Sequence, residues 1–235
     1  LIMKTSRNGY DGKGQQIVQH LSDTMEHWNS LGNVPCIVEQ KIALDAEFSV
    51  IIARGEDGEI ALFNPTQNVH VGGILDISTA PAQLDAQLWE EGQLAATNIA
   101  EKLDYIGVLA VEFFVSRNKL FVNELAPRPH NSGHWTLDAA RTSQFEQQVR
   151  ALVGKPLGDP SMTSSAVAMV NLLGDRWTHG EPRYELAVSQ TSAHVHLYGK
   201  KTARPGRKMG HLTFTGDTVD AAANNAVSLR TAITR

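Results

Sequence analysis

Residues 108–134, with the sequence VLAVEFFVSRNKLFVNELAPRPHNSGH, are the stretch that decides the fold. Val108–Val115 and Lys119–Glu124 are apolar segments with the composition of β-strands, and the polar residues 116–118 between them are typical of a tight turn. A polar loop with two prolines begins directly after the second segment. The pattern therefore predicts two neighbouring strands that lead into a stiffened polar loop.

Each predicted strand carries one acidic residue, Glu112 or Glu124, among apolar neighbours. Burying an ionised carboxylate without a partner is costly, so an isolated acid is unexpected in such a strand. Two carboxylates that face each other from adjacent strands, with Asn123 next to the second, are suited to Mg²⁺ that carries triphosphate oxygens. The alternative is that both acids face solvent at the strand ends.

The loop at residues 126–134 combines the two prolines with a cluster of polar side chains. The guanidinium of Arg128 matches the geometry of a carboxylate or a phosphate, and His130, Asn131 and Ser132 offer further hydrogen-bonding groups. A loop that follows a ligand-bearing strand is a favourable place for catalytic residues, so we predict that the chemistry occurs there. Without its neighbours, the segment would be an ordinary surface loop.

Near the N-terminus, a predicted strand at residues 1–5 runs into the glycine-rich residues 8–15, and a helix is predicted over residues 16–31. Glycines let backbone amides approach phosphate oxygens, and a helix N-terminus would add a favourable dipole. Lys4 and Lys13 would bring positive charge to the same phosphates. The segment is not a Walker A motif, and a plain turn between strand and helix is the alternative.

The most basic part of the chain is residues 198–208, which also contains a Pro-Gly turn. It is too short for a nucleic-acid-binding face, but its lysines and arginines suit a single phosphate monoester. The alternative is a solvated run of surface charge.

The remaining pattern predicts an α+β chain. Residues 69–80 are expected to be a glycine-containing connection, and the Gly- and Pro-rich residues 154–163 a boundary. The expected strands are residues 36–40, 46–54, 60–64, 166–172, 194–197 and 211–215, and the expected helices are residues 82–103, 142–153 and 217–234.

Composition narrows the function classes. The chain has 235 residues and a net charge of −4, which argues against a general nucleic-acid-binding surface. Its single cysteine cannot form an internal disulfide, and no apolar stretch approaches the ~20 residues needed to cross a bilayer. No signal peptide is recognised, so we expect a cytoplasmic protein.

The order of these motifs closely resembles that of the 5-(carboxyamino)imidazole ribonucleotide synthetase family, which are ATP-grasp ligases of purine biosynthesis. The most specific part of the resemblance is NELAPRPHNSGH at residues 123–134, and it extends to TSQFE at residues 142–146 and to YGK and RPGRKMGH within residues 198–211. Asn8 is a departure, because family members usually have glycine at this position.

The resemblance implies an ATP-grasp fold, with two α+β lobes around the nucleotide and a small β-rich C-terminal subdomain. We place the small lobe at residues 1–72, the large lobe at residues 73–160 and the subdomain at residues 161–235. Family members also carry an N-terminal Rossmann-like domain that is not recognised in this sequence. We therefore expect the chain to be part of a longer enzyme and to turn over poorly by itself.

The resemblance further implies a role for individual residues. The glycine loop would hold the phosphates of ATP, the segment at residues 39–42 would contact adenine, and Glu47 would bind the ribose. The implied ATP-binding residues are Lys4, Gly9, Tyr10, Asp11, Gly12, Lys13, Gly14, Gln15, Glu39, Gln40, Lys41, Ile42, Glu47, His70, Asn123 and Glu124. The implied ligands of Mg²⁺, or of Mn²⁺ as an alternative, are Glu112 and Glu124. The implied catalytic residues around bicarbonate are Arg128, His130 and Asn131. The implied ligands of the substrate phosphate are Lys200 and Arg207.

The implied activity is the carboxylation of 5-aminoimidazole ribonucleotide with bicarbonate and ATP, through carboxyphosphate, by a homodimer. One alternative is another ATP-grasp ligase, such as formate-dependent glycinamide ribonucleotide transformylase, which should differ at residues 128–134. The second alternative is a non-catalytic ATP-binding module.

Overall fold

The computed structural model describes residues 1–9, 12–178 and 180–234 and contains two separate β-sheets. The first is a small antiparallel sheet near the N-terminus. It consists of β1 (Ile2–Thr5), β2 (Gln15–Ile17) and β3 (Cys36–Glu39), in the order β2-β1-β3. We call it the small sheet.

The predicted helix at residues 16–31 is wrong over its first part. Residues 15–17 are β2, which pairs antiparallel with β1, so the glycine-rich segment is the loop of a β-hairpin. Only α1 (Thr24–Ser30), preceded by a short 3₁₀ turn at Leu21–Asp23, is helical. Long-range strand pairing has outweighed the helical spacing of the apolar residues, and no helix N-terminus follows the glycine loop.

The second sheet has nine strands, and we call it the large sheet. Eight of them follow the order β11-β12-β10-β7-β6-β4-β8-β9, and the ninth, β5, pairs with β4. All of its pairings are antiparallel. The strands are β4 (Ala46–Arg54), β5 (Ile60–Leu62), β6 (Thr66–Val71), β7 (Ile74–Ala80), β8 (Gly107–Ser116), β9 (Lys119–Ala126), β10 (Ala166–Leu173), β11 (Ala193–Leu197) and β12 (Lys208–Gly216).

The predicted connection at residues 69–80 is also wrong, because it lies in the β6–β7 hairpin. Gly72 and Gly73 form its turn, with φ values of 59° and 79° that favour glycine. Gly12 of the glycine loop approaches this turn so closely that a Cβ there would lie 3.2 Å from the Cα of Gly73. The two glycine turns therefore bring the small sheet against the large sheet.

Helices cover both faces of the large sheet. They are α2 (Ala86–Lys102), α3 (Thr136–Ala139), α4 (Gln144–Leu152), α5 (Glu185–Val188) and α6 (Val219–Ile233). The α2 helix begins at Asp85, whose side chain accepts a hydrogen bond from the backbone N–H of Gln87. It packs on a core that contains the stacked rings of Phe48 and Phe113, while α6 packs on β10 and β12.

The large sheet continues across both predicted domain boundaries. Strands β4 and β6, placed in the small lobe by the sequence, pair with β8 and β7 respectively, and Val167 of the C-terminal region pairs with Ala80. A salt bridge between Arg230 of α6 and Asp76 of β7 also joins these regions, with 2.6 Å between Nη1 and Oδ1. Strand pairing thus provides no division at residue 72 or 160, because the hydrogen-bonded ladder is continuous.

Among the residues that the structure describes, no helix combines the length and the hydrophobicity that a bilayer crossing requires.

Candidate active site

The two acidic residues of the β8–β9 hairpin lie opposite each other. Glu112 pairs directly with Glu124, whereas the next residue of β8, Phe113, pairs with Val122. Asn123 is therefore the extra residue of a β-bulge, a feature that re-aims side chains next to ligand sites. The prediction that the two acids face each other is confirmed, and of the two only Glu124 is exposed to solvent.

These carboxylates form a compact cluster with His130. One donor atom from each of Glu112, Glu124 and His130 lies within 4.8 Å of the other two. Glu112 is only 8% exposed, and burial, reinforced by the negative charge of Glu124, raises its pKa to about 7. The cluster therefore carries negative charge that the neighbouring side chains do not fully compensate.

The hydrogen bonds of His130 fix which ring nitrogen carries the proton. Nδ1 faces the Ser132 Oγ at 2.9 Å and the backbone N–H of Ser132 at 3.4 Å, and a backbone N–H can only donate. Burial, with a contribution from the charge of Arg128, lowers the pKa of His130 to about 3, so the ring is neutral. The proton must then lie on Nε2, which is 3.3 Å from the Glu112 Oε1.

A buried chain of hydrogen bonds ends at the His130 ring and helps to fix its orientation. The Ser78 hydroxyl donates to the Asn68 Oδ1 (2.8 Å), the Asn68 amide donates to the Ser49 Oγ (3.2 Å), and the Ser49 hydroxyl donates to the Ser132 Oγ (2.7 Å). The Ser132 hydroxyl is left to donate to Nδ1 of His130. The sequence analysis missed this chain, since its members come from four different segments.

The donor set favours a hard divalent cation. Because Nε2 of His130 carries the proton, the ring offers no lone pair to a metal from that atom, and the remaining ligands are carboxylate oxygens. Oxygen ligands suit Mg²⁺ or Mn²⁺ better than softer metals. The residues present thus fit the predicted cation, with Glu112 and Glu124 as its ligands.

Glu47 and His70 form a second polar pair beside these acids. Nδ1 of His70 lies 2.8 Å from the Glu47 Oε2. Burial alone would lower the pKa of His70, but the hydrogen bond and charge of Glu47 and the charge of Glu112 raise it. Both residues were predicted to contact ATP, and the structure places them together at the same site.

The remaining predicted ATP-binding residues lie on the small sheet and on the segment after it. Nζ of Lys4 forms a salt bridge of 2.6 Å with the Glu39 Oε2, and Gln15 pairs with Lys4 across β1 and β2. Residues 40–45 connect β3 to β4 and therefore link the two sheets. Tyr10 and Asp11 lie outside the described residues.

A polar cleft of about 490 Å³ lies where the glycine loop meets the post-β9 loop. It contains the predicted residues Arg128, His130 and Lys200, and it adds four that were not predicted: Pro129, His134, Tyr198 and Lys208. The full lining is Gly9, Glu124, Arg128, Pro129, His130, Asn131, His134, Tyr198, Lys200 and Lys208.

The basic end of this cleft differs in part from the prediction. Nζ of Lys200 lies 2.5 Å from the Lys208 carbonyl oxygen and 5.4 Å from the centre of the Tyr198 ring. Arg207 does not line the cleft, and its Nη1 donates to the Thr202 carbonyl oxygen at 2.8 Å. Lys208, the first residue of β12, lines the cleft, whereas Arg207 precedes the strand and does not line it.

Asn131 is held by a partner on the large sheet. Its amide exchanges two hydrogen bonds with the amide of Asn171 on β10, at 3.0 and 2.7 Å, and Asn171 also donates to the Leu75 carbonyl oxygen. One N–H of Asn131 is left for a ligand. The pair fixes the loop after β9 to the centre of the sheet.

A second group of potential metal ligands, Asp138, His196 and His211, lies behind the cleft. Nε2 of His196 contacts both carboxylate oxygens of Asp138 at 3.0 Å, and the rings of His196 and His211 stack with centres 4.6 Å apart and an interplanar angle of 16°. Lone pairs of imidazole lie in the ring plane, so two nearly parallel stacked rings do not direct them to one ion. This group therefore has the geometry of a packed polar cluster.

Comparisons with known proteins agree with the fold. A family model described as the ATP-grasp domain matches residues 1–145, and one described as the phosphoribosylaminoimidazole carboxylase C-terminal domain matches residues 167–225. The first match covers more than half of the chain, and the chain belongs to the ATP-grasp family.

Two curated relatives within that family carry the same description. N5-carboxyaminoimidazole ribonucleotide synthase from Brucella melitensis is 44% identical over 90% of this chain, and the enzyme of the same name from Bacillus subtilis is 42% identical over 91%. The chain spans 58% and 55% of the length of these two proteins.

Solved structures give the same result. The N5-carboxyaminoimidazole ribonucleotide synthetase from Thermus thermophilus superimposes with a TM-score of 0.87 at 39% identity, and the match covers 99% of this chain and 61% of that chain. N5-carboxyaminoimidazole synthase from Aspergillus clavatus, solved with ADP and 5-aminoimidazole ribonucleotide, gives a TM-score of 0.88 at 28% identity, with coverage of 99% and 61%.

Proposed function

We propose that this chain supplies the ATP site and the carboxylation site of an N5-carboxyaminoimidazole ribonucleotide synthase. The reaction is the ATP-dependent carboxylation of 5-aminoimidazole ribonucleotide with bicarbonate, which yields ADP and phosphate. The observation that carries the proposal is the convergence of Glu112 on Glu124, which lines a cleft together with Arg128, Lys200 and Lys208. The descriptions of the relatives support the choice of substrate.

The nucleotide would lie between the two sheets. The glycine loop and Lys4 would hold its phosphates, residues 39–42 would contact the adenine, and Glu47 with His70 would contact the ribose. Glu112 and Glu124 would hold Mg²⁺, which when bound offsets the negative charge of the phosphates. The ammonium of Lys4 forms a salt bridge with Glu39 in the structure. In this scheme Lys4 leaves Glu39 and binds the phosphates when ATP arrives.

The chemistry has two steps. A bicarbonate oxygen bonds to the γ-phosphorus while the bond from that phosphorus to the ADP oxygen breaks, which gives carboxyphosphate and ADP. The substrate amine then bonds to the carboxyl carbon, the carbon–oxygen bond to phosphate breaks, and the departing phosphate takes up the proton that the amine loses. Arg128 and the neutral His130, both in the cleft, are positioned to hold the anionic groups during these steps.

The basic end of the cleft would bind the phosphate of 5-aminoimidazole ribonucleotide. Lys200 and Lys208 lie there, and we assign the phosphate to these two lysines, with Arg207 at the edge of the site. The proposal also includes the cytoplasmic homodimer that the family resemblance implies. Analytical ultracentrifugation of the protein tests that part.

The decisive experiment measures ADP release by the full-length protein, with and without bicarbonate and 5-aminoimidazole ribonucleotide. We expect ADP release to require both, and Glu124→Ala to lower it roughly 1,000-fold through loss of a metal ligand. Stimulation by glycinamide ribonucleotide and formate instead would identify a transformylase. ATP binding without any stimulated ADP release would identify a non-catalytic module.

A further inference from the structure

The amide of Gln144, the first residue of α4, is held in a single orientation inside the protein. Gln144 is fully buried, its Oε1 accepts from the backbone N–H of His130 at 2.9 Å, and its Nε2 donates to the carbonyl oxygen of His130 at 2.8 Å. A backbone N–H only donates and a carbonyl only accepts, so the two ends of the amide cannot be exchanged. A Cβ at Gly133 would lie 2.7 Å from the Oε1, which shows how closely the loop encloses it.

This orientation determines the tautomer of His134. The second hydrogen of the Gln144 Nε2 points to Nδ1 of His134, at 3.0 Å. Nδ1 must therefore accept, and in the neutral ring the proton lies on Nε2. Burial is the main reason that the pKa of His134 is lowered to about 4, so the ring is neutral at physiological pH.

The protonated nitrogen of His134 is available to a ligand of the cleft. The ring lines the cleft together with Arg128, Lys200 and Lys208, and its hydrogen bond with the Gln144 amide is made by Nδ1 and not by Nε2. The Tyr198 ring packs against it edge-on, with the ring centres 6.1 Å apart and an interplanar angle of 84°. His134 is thus a fixed, neutral N–H donor between three cationic side chains.

We propose that His134 is a catalytic residue whose Nε2–H donates a hydrogen bond to an oxyanion of carboxyphosphate, and that Gln144 is the positioning residue that keeps the proton on Nε2. This inference deepens the function proposed above and rests on it. A neutral imidazole can bind an anionic oxygen without transferring its proton, so the substrate amine stays unprotonated and nucleophilic. The cationic side chains attract the anionic intermediate, and the N–H of His134 fixes the orientation of its oxyanion.

Two substitutions at position 134 separate the functions of the two ring nitrogens. In His134→Gln the side-chain amide reaches the position of Nε2 and keeps a donor there, whereas in His134→Asn it reaches only the position of Nδ1. We expect His134→Asn to lower kcat for 5-aminoimidazole ribonucleotide about 100-fold, as loss of an oxyanion donor typically does, and His134→Gln to stay within about tenfold of the unsubstituted protein. The KM for ATP should change less than about twofold in both.

The role of Gln144 is tested with Gln144→Glu, which replaces the donating amide by a carboxylate that only accepts. The carboxylate should draw the proton of His134 to Nδ1, and ¹⁵N NMR of labelled histidine at pH 7 should show this reversal. The matched control is Gln147→Glu in the same helix. Gln147 is equally buried and makes the same two backbone hydrogen bonds, to Gly158 at 2.6 and 2.9 Å, but no hydrogen bond to a histidine.

The outcomes distinguish this inference from the proposed function. An unsubstituted protein without bicarbonate-dependent ADP release refutes the proposed function, and with it the named ligand of His134. An active protein in which His134→Asn and His134→Gln are equally impaired refutes the role of His134 alone. A proton on Nδ1 of His134 in the unsubstituted protein overturns the inference even if Gln144→Glu does not fold.

Discussion

The small sheet and the β8–β9 hairpin contribute to the same cleft but differ in how deeply they are buried. In β8, Val108, Leu109, Ala110, Val111 and Phe113 are at most 1% exposed. In the small sheet, by contrast, Ile17, Ile37 and Val38 are about half exposed, and Met3 is the one fully buried apolar side chain of its strands. Segments with few buried apolar contacts open at lower free energy, so we expect the small sheet to open more readily than the β8–β9 hairpin.

The largest effect should come from removing packing beneath the metal site. Phe113→Ala removes a fully buried ring that stacks on Phe48 with the ring centres 5.0 Å apart, and should lower the free energy of unfolding by about 3–5 kcal/mol. Ile37→Ala in the small sheet is the matched change at an exposed position and should cost less than about 1 kcal/mol. Urea denaturation measures both. Equal losses would contradict the contrast between the two regions.

The next effect concerns the buried chain that orients His130. Ser132→Ala leaves the Ser49 hydroxyl without its acceptor and should cost about 1–3 kcal/mol of stability. It should also lower ADP release about tenfold, because Nδ1 of His130 keeps only the longer contact to the backbone. Ser189→Ala, at an exposed position far along the chain, is the control. Unchanged kcat in Ser132→Ala would show that the chain has a packing role only.

A third test uses the raised pKa of Glu112. Below about pH 7 the folded, metal-free protein holds a proton on Glu112 that Mg²⁺ must displace, so the apparent Mg²⁺ affinity should fall up to about tenfold per pH unit and level off above pH 7. Between the ordinary pKa of 4.5 and about 7, only the unfolded chain has lost this proton. The metal-free protein should therefore lose stability as pH rises through that window.

Glu112→Gln is the control for this pH dependence, since it cannot titrate. Its thermal unfolding should lack the Glu112 contribution to the slope between pH 5 and 7, although its Mg²⁺ binding is weakened at every pH. Calorimetry at several pH values gives both quantities. An identical slope in the two proteins would mean that Glu112 is already ionised in the folded state.

The smallest expected effect lies in the glycine loop. Asn8 adopts φ of 64°, a left-handed conformation that asparagine tolerates better than other residues with a side chain, which explains how it stands where the family usually has glycine. Asn8→Ala should cost about 1 kcal/mol, while Asn8→Gly should be nearly neutral. Titration with ADP, which depends on this loop in the proposed function, should show the same order of affinities.

The sequence was informative where neighbours along the chain decide the structure. The β8–β9 hairpin follows from apolar strands around a polar turn, and the register places Glu112 opposite Glu124 as expected. It was misleading at Gln15–Ile17, where pairing with a distant strand outweighed helical spacing, and at residues 69–80, where two glycines mark a hairpin turn and not a connection.

The parts of the site that escaped prediction depend on contacts between distant segments. Gln144 reaches His134 from the start of a different helix, and Ser49 reaches Ser132 across 83 residues of sequence. The sequence around a glutamine or a serine does not identify its hydrogen-bond partner, because the folded backbone decides which other segment comes within reach. Lys208 lines the cleft and Arg207 does not for a related reason, since the direction of each side chain is set by the folded backbone.

The strands from β9 to β11 form one continuous hydrogen-bonded sheet, which fixes distances across the molecule. Glu124 lies on the strand at one edge and Lys208 near the other edge of a single hydrogen-bonded sheet, so the sheet fixes the distance between these two residues. For the proposed reaction, the enzyme would then select a ribonucleotide by the distance between its amine and its phosphate. A substrate is accepted when its amine meets the carboxyl carbon at the moment its phosphate touches the lysines.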